Sequence, residues 1–372
     1  MAREAQIRND LAAEIDAPRA TAPGPAVVAP AERVAWLDIA KGLGIVAVVI
    51  GHTLGGLIDV PHAPVPAAFR AIFLALYIVH MPLFFLLAGL LVSQRIARSA
   101  RRFGVDLLRS IVWPYFLWST AQYSVIFVSG SLVNAPVTQF WRAIARLPVA
   151  TVSQFWFLYV LFFLHLAALI LLPRLGRTAF LALALAGKIV PAVIALPALP
   201  RLFLTHGGFY ALGVWLGLAG LEHIRVRLPR LSRLAPVSAV LALAVVALAA
   251  FLTIVNDAPF WARKSSDIAA MAWRLPTVPA SLLGIAAAIL VAMALRGRIA
   301  AAFAYLGRAS MAIFVLHVMF VAGIRIVLVK LFHQHDPVIL LAFGVTAGFG
   351  ASLLCYVAAR RLGLSRLLGL GA

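Results

Sequence analysis

One stretch of this sequence sets three ionisable side chains at helical spacing inside an otherwise apolar run: WLDIAKGLGIVAVVIGHT, residues 36–53, with Asp38, Lys41 and His52. At about 100° per residue, the eleven steps from Lys41 to His52 close to within about 20° of three full turns. The two residues therefore share a helix face, about 16 Å apart along the axis. Asp38 lies about 60° away, at the i,i+3 spacing that lets a carboxylate pair with an ammonium. One polar stripe is thus expected along this helix. A neutral imidazole on it can take the proton of an attacking hydroxyl, the work of a general base. The same residues also read without chemistry: Asp38 and Lys41 as an interfacial ion pair, His52 as a hydrogen-bonded core histidine. Gly42, Gly44 and Gly51 leave room for another backbone or a ligand to approach this helix.

Other ionisable groups follow. His80 opens HMPLFFLLAGLL, where Pro82 frees a backbone carbonyl and kinks the helix. The basic stretch RIARSARRFGVDLLRSIVWPY holds Arg101, Arg102 and Arg109. Such arginines can mark the cytoplasmic face, hold anionic lipid or grip the phosphates of a cofactor. In YLGRASMAIFVLHVMF, Ser310 and His317 are seven steps apart and so share a face. Trp156 opens a later apolar run, where an aromatic belt at the outer interface accounts for it. Lys188, His165 and His206 receive no role. The histidines lack the paired spacing of a metal site, so no metal is expected. Cys355 is the single cysteine and lies in an apolar run, which points to a buried small hydrophobe.

The elements that must position these groups are membrane helices. The 372-residue chain is 64% hydrophobic and 12% charged, with a mean hydropathy of +1.02. A water-soluble fold of this length has too much surface to hide that composition. Continuous apolar runs of about 20 residues cross the hydrocarbon core as helices; they lack the alternation of barrel strands. The expected class is an all-α polytopic bundle of about ten spans, near 34–57, 67–92, 106–130, 152–173, 178–196, 201–221, 235–255, 275–296, 309–332 and 337–359. Of the 32 basic residues, 20 fall in the tail and the even-to-odd connections and seven on the other side. Positive charge marks the cytoplasm, so both termini are expected inside a multi-pass plasma (inner) membrane protein. Residues 1–33 read as a disordered cytoplasmic tail, 34–360 as the membrane domain and 361–372 as a second short tail. The net charge of +20 is explained by this topology, and nucleic acid is not an expected partner.

Taken together, these motifs resemble the acyltransferase-3 family of membrane acyltransferases, closest to its fucose-4-O-acetylase-like branch. The resemblance runs from Trp36 to about Tyr356. It rests first on a basic residue, ten residues and a histidine, here Lys41 and His52. FFLLAG at Phe84–Gly89, LLRSIVWPY with Arg109 and Pro114, FWFLYVL, and LGRASMAIFVLH ending at His317 follow in order. Ala88 stands where the second block often has serine, and Gln154 and Trp156 where many relatives carry an acidic residue. The resemblance implies transfer of an acyl group, usually acetyl, from acetyl-CoA or another acyl-CoA to a hydroxyl of a cell-envelope carbohydrate, lipid-linked sugar or glycolipid. His52 then serves as base, and Lys41 either holds CoA phosphate or orients the polar stripe through Asp38. Arg109, Arg101 and Arg102 hold the CoA phosphates, and His317, His80 and Trp156 face the acceptor. The rival readings are a secondary transporter using the same stripe as a path, and a lipid-binding subunit in which the histidines only pack.

Overall fold

The computed structural model describes residues 34–58, 65–133, 136–194, 196–227, 234–256 and 277–371. The tail expected over 1–33 lies outside them, as does the connection after Asn256. Among the described residues every regular element is a helix. Helix α1 spans Ala35–Ile58, α2 Ala67–Leu90, α3 Val92–Arg98 and α4 Ala100–Leu107. A π-turn at Leu108–Val112 carries α4 directly into α5, Trp113–Ser129. Then come α6 (Phe140–Ala145), α7 (Trp156–Val193), α8 (Ala198–Arg227), α9 (Ala235–Asn256), α10 (Thr277–Ala294), α11 (Gly297–Arg308), α12 (Ser310–Lys330) and α13 (Pro337–Arg361).

Among the described residues, seven helical stretches are long and apolar enough to cross a membrane: 35–58, 67–98, 153–191, 198–221, 277–294, 310–330 and 337–361. The protein is an all-α polytopic membrane bundle. All ten apolar runs of the sequence fall on helices, but not always one to one. The fourth and fifth both lie on α7, which turns back on itself at Gly176, φ 73°. That left-handed conformation is open to glycine at no steric cost. The third run needs α4, the π-turn and α5 together, since α5 alone has 17 residues. Local chemistry sets some of the ends. Asp336 caps α13 by accepting from the Val338 and Ile339 N–H groups (2.8 and 3.1 Å), and Pro337 supplies a first residue that needs no donor.

Helix α1 is the hub, packing against α2, α10, α11, α12 and α13; α2 in turn packs on α8, α9 and α10. Helix α11 falls in a stretch expected to be a connection. It crosses α1 at two glycines, where backbones touch: a Cβ on Gly307 would run into the carbonyl of Asp38, and one on Gly42 into that of Phe303. Small residues are what permit such close approach.

Four further expectations change. The segment 131–151, read as an outer connection, folds back along α5. The Tyr115 hydroxyl donates to the carbonyls of Leu147 (2.7 Å) and Ala150 (3.2 Å), and that of Tyr159 to Pro148 (2.9 Å). Because the chain has already turned inward, α7 starts level with Phe85, and Trp156 packs inside the bundle rather than in an outer belt. Residues 362–371 do not hang free either. Trp113 and Trp118 donate their indole N–H groups to the carbonyls of Leu367 (2.7 Å) and Leu368 (2.8 Å), and Leu370 is buried. Finally, Cys355 is exposed on the outside of α13.

Candidate active site

His52 sits five turns into α1, half-buried among rings from two other helices. The His317 ring from α12 is 5.0 Å away between centroids, edge to face, and the Tyr77 ring from α2 is 6.0 Å away. Tyr77 is in turn 4.7 Å from His80, one turn further along α2. His80 and His317 are almost wholly buried, at 1% and 0% exposure. Three of the histidines named from the sequence therefore meet on three helices.

Hydrogen bonding fixes how two of them present themselves. The Nδ1 atom of His80 faces the Leu76 carbonyl at 2.5 Å, and that of His317 faces the carbonyls of Ile313 and Phe314, both at 2.9 Å. A carbonyl can only accept, so each Nδ1 carries the proton and donates. Each Nε2 is then a lone-pair acceptor, and both are buried without a hydrogen-bond partner. Two unmet acceptors beside a third imidazole make a cluster that calls for hydroxyl or N–H donors. No group of three metal-ligating side chains occurs among the described residues.

Lys41 does not belong to this cluster. It pairs with Asp38 at 3.8 Å, as the i,i+3 spacing requires, at the α11 crossing. On the face joining it to His52 stand Ile45 and Val48, 0% and 1% exposed. The polar stripe is interrupted by packed apolar side chains, because residues on one helix face can still be sealed off by different neighbours.

Arg101 and Arg102 on α4 and Arg109 in the π-turn are all exposed. None forms an ion pair among the described residues. Arg95 is occupied, bound to Asp106 at 3.2 Å and lying over the Phe103 ring at 5.1 Å. Arg102 and Arg109 are seven residues apart, which puts them within about 20° of one face on an ideal helix. Such a row of guanidinium groups suits a polyphosphate. Trp156, placed with the acceptor site in the sequence, instead stacks on His206 at 5.4 Å.

Two participants escape the sequence reading. Tyr77 is three residues before His80 and so on its face, a spacing that was there to be seen. Arg325, on α12, reaches across to the carbonyl of Gly56, one turn beyond His52 on α1. It is eight residues from His317, and only the packing of α12 on α1 gives it a place.

The comparisons with known proteins agree with this architecture. The acyltransferase-3 family model, described as an acyltransferase domain, matches residues 34–359. The nodulation protein NolL of Mesorhizobium japonicum is 31% identical over 180 residues, covering 47% of this chain and 46% of that protein. The chain thus spans about half the length of the curated relative it matches. No solved structure matches. A family match over nearly the whole bundle, His52 and His317 included, means that the chain belongs to the acyltransferase-3 family of membrane acyltransferases.

Proposed function

We propose that this protein is a membrane O-acyltransferase, moving an acyl group, acetyl by the family resemblance, from a cytoplasmic acyl-CoA to a hydroxyl of a cell-envelope carbohydrate or glycolipid. The observation that carries the reading is the meeting of His52, His317 and His80 at one place in the bundle. A cluster of lone-pair acceptors suits a hydroxyl nucleophile, which brings its own proton, better than it suits a carbonyl.

In this mechanism the acceptor hydroxyl attacks the thioester carbonyl while His52 takes its proton. The tetrahedral intermediate collapses by breaking the carbon–sulfur bond, and His52 returns the proton to the departing CoA thiolate. The ester forms, and the base is restored. A hydroxyl is a poor nucleophile unless its proton leaves as the bond forms, and such general-base help is worth about 10²–10⁴ in rate. His317 orients His52 during the step: its Nε2, unpartnered in this structure, comes to accept the N–H of the His52 ring, leaving the other His52 nitrogen as the base. His80 presents its Nε2 to a further acceptor hydroxyl. Arg101, Arg102 and Arg109 hold the CoA phosphates through charge-assisted hydrogen bonds. Lys41 and Asp38 are positioning residues, fixing the start of α1 against α11.

Replacing His52 by Ala tests the base. The expected result is loss of acyl transfer of about 10²-fold or more, with the protein still folded in the membrane. Turnover within a few-fold of wild type would remove His52 from the chemistry.

A further inference from the structure

The mechanism leaves Lys188 and His206 without work, yet they are the least ordinary pair in the bundle. Lys188 lies in the second half of α7. It donates to the Thr205 carbonyl at 2.6 Å and stands over the Phe209 ring at 4.6 Å. An ammonium has three donors; one is used, and no carboxylate pairs with it among the described residues. His206 lies against both Phe85 (4.8 Å, 20°) and Trp156 (5.4 Å, 28°), whose own rings are 6.3 Å apart. Its Nδ1 is buried with no hydrogen-bond partner, and it lies within electrostatic reach of Lys188. Trp156 is the first residue of α7, whose N-terminus has no side-chain cap and so offers partial positive charge.

Beside this cluster runs an apolar groove of about 370 Å³ between the two halves of α7 and α8, lined by Leu164, Phe180, Leu183, Val190, Phe203 and Leu204. Gly187 and Gly207 line it too; they adjoin Lys188 and His206 in sequence, though those two side chains are not part of the groove wall. Lys188 is five residues, about 8 Å, from the end of α7 and twelve from the Gly176 turn. The arginine pattern puts that end on the outer face, where an acceptor is met, and away from the arginines assigned to CoA. A cation within a membrane is costly unless something neutralises it, and no acid does so among the described residues.

We propose that Lys188 and His206 form the head-group subsite for a phosphate ester of a long apolar alcohol, with its tail in the groove between α7 and α8. This rests on the acyltransferase reading only in calling that lipid the carrier of the acceptor sugar. Binding of the lipid can be read without turnover.

The experiment uses the full-length protein in detergent with three probes: farnesyl monophosphate, farnesol and inorganic phosphate. Native mass spectrometry and the melting temperature report binding. Farnesyl phosphate is expected to bind wild type and His52→Ala alike. Lys188→Met should weaken it about tenfold or more, the range for losing a charged hydrogen bond, whereas Lys188→Arg stays within a few-fold. Equal binding of farnesol, or farnesyl phosphate binding unchanged in Lys188→Met, overturns the head-group site. Inorganic phosphate binding as tightly as farnesyl phosphate overturns the lipid. Should Lys188→Met fail to fold, wild-type discrimination between farnesyl phosphate and farnesol decides alone. Lysine-dependent binding without any acyl transfer would leave this site standing and sink the enzymatic reading instead.

Discussion

Replacing His317 by Phe asks whether the histidines act as a unit. A flat aromatic ring is kept, larger by one ring atom, and the Ile313 and Phe314 carbonyls keep the helical N–H groups they already accept. What disappears is the Nε2 acceptor beside His52, 5.0 Å away between rings. That acceptor has no hydrogen-bond partner in this structure; once His52 has taken the proton of the acceptor hydroxyl, its imidazolium N–H donates to that acceptor in a charge-assisted bond. Hydrogen bonds to charged groups are worth about 1.5–3 kcal/mol, which corresponds to about a 10- to 150-fold loss in kcat. The KM for acyl-CoA should stay within about twofold, because the lost interaction belongs to the transition state. Release of CoA thiol, followed alongside mass spectrometry of the O-acyl ester, gives both constants. Cys355 must first be changed to Ser, since it is exposed and would react with thiol reagents. The decisive comparison is the double variant. If His317 acts through His52, then His52→Ala with His317→Phe is no slower than His52→Ala alone. Multiplicative losses, or a His317→Phe enzyme with full kcat, would refute the orienting role.

Three other outcomes follow from the geometry. Arg109→Ala should raise KM for acyl-CoA by about tenfold while kcat holds, with a larger effect at low salt; an unchanged KM in a saturation curve takes Arg109 out of the CoA site. Gly307→Ala puts a methyl group against the Asp38 carbonyl and should cost about 1–3 kcal/mol, seen as a lower melting temperature in detergent; an unaltered melting curve contradicts the close crossing of α1 and α11. Tyr115→Phe loses the one hydroxyl proton shared between two carbonyls of the folded-back segment, about 0.5–1.5 kcal/mol. Trypsin should then cut faster at Arg142 or Arg146, and an identical digestion time course would show that the tyrosine does not hold that segment.

Much of the bundle was legible because membrane helices obey a one-dimensional rule. Each needs about 20 apolar residues and satisfies its own backbone bonds, so hydropathy alone located the runs from Ala35 to Arg361. The Asp38–Lys41 pair was legible for the same reason, since an i,i+3 contact is made within one helix. Even the tautomers of His80 and His317 are local, being set by carbonyls three and four residues back. What the sequence by itself decided was helix content, composition and intrahelical contacts. Everything that depends on which helices become neighbours came from the fold. The Lys41–His52 face reads as one stripe along α1, yet Ile45 and Val48 are packed shut between them. The join of His52 to His317 spans 265 residues of sequence, and that of Arg325 to Gly56 spans 269. Trp156 moved from a membrane boundary to the side of His206 because the preceding segment folds inward, held by hydrogen bonds of Tyr115 to carbonyls more than 30 residues away. Apolar matching in lipid is nearly indifferent to partner, so close backbone contacts at glycine and scattered polar bonds choose the pairing, and neither has a period that a single chain displays.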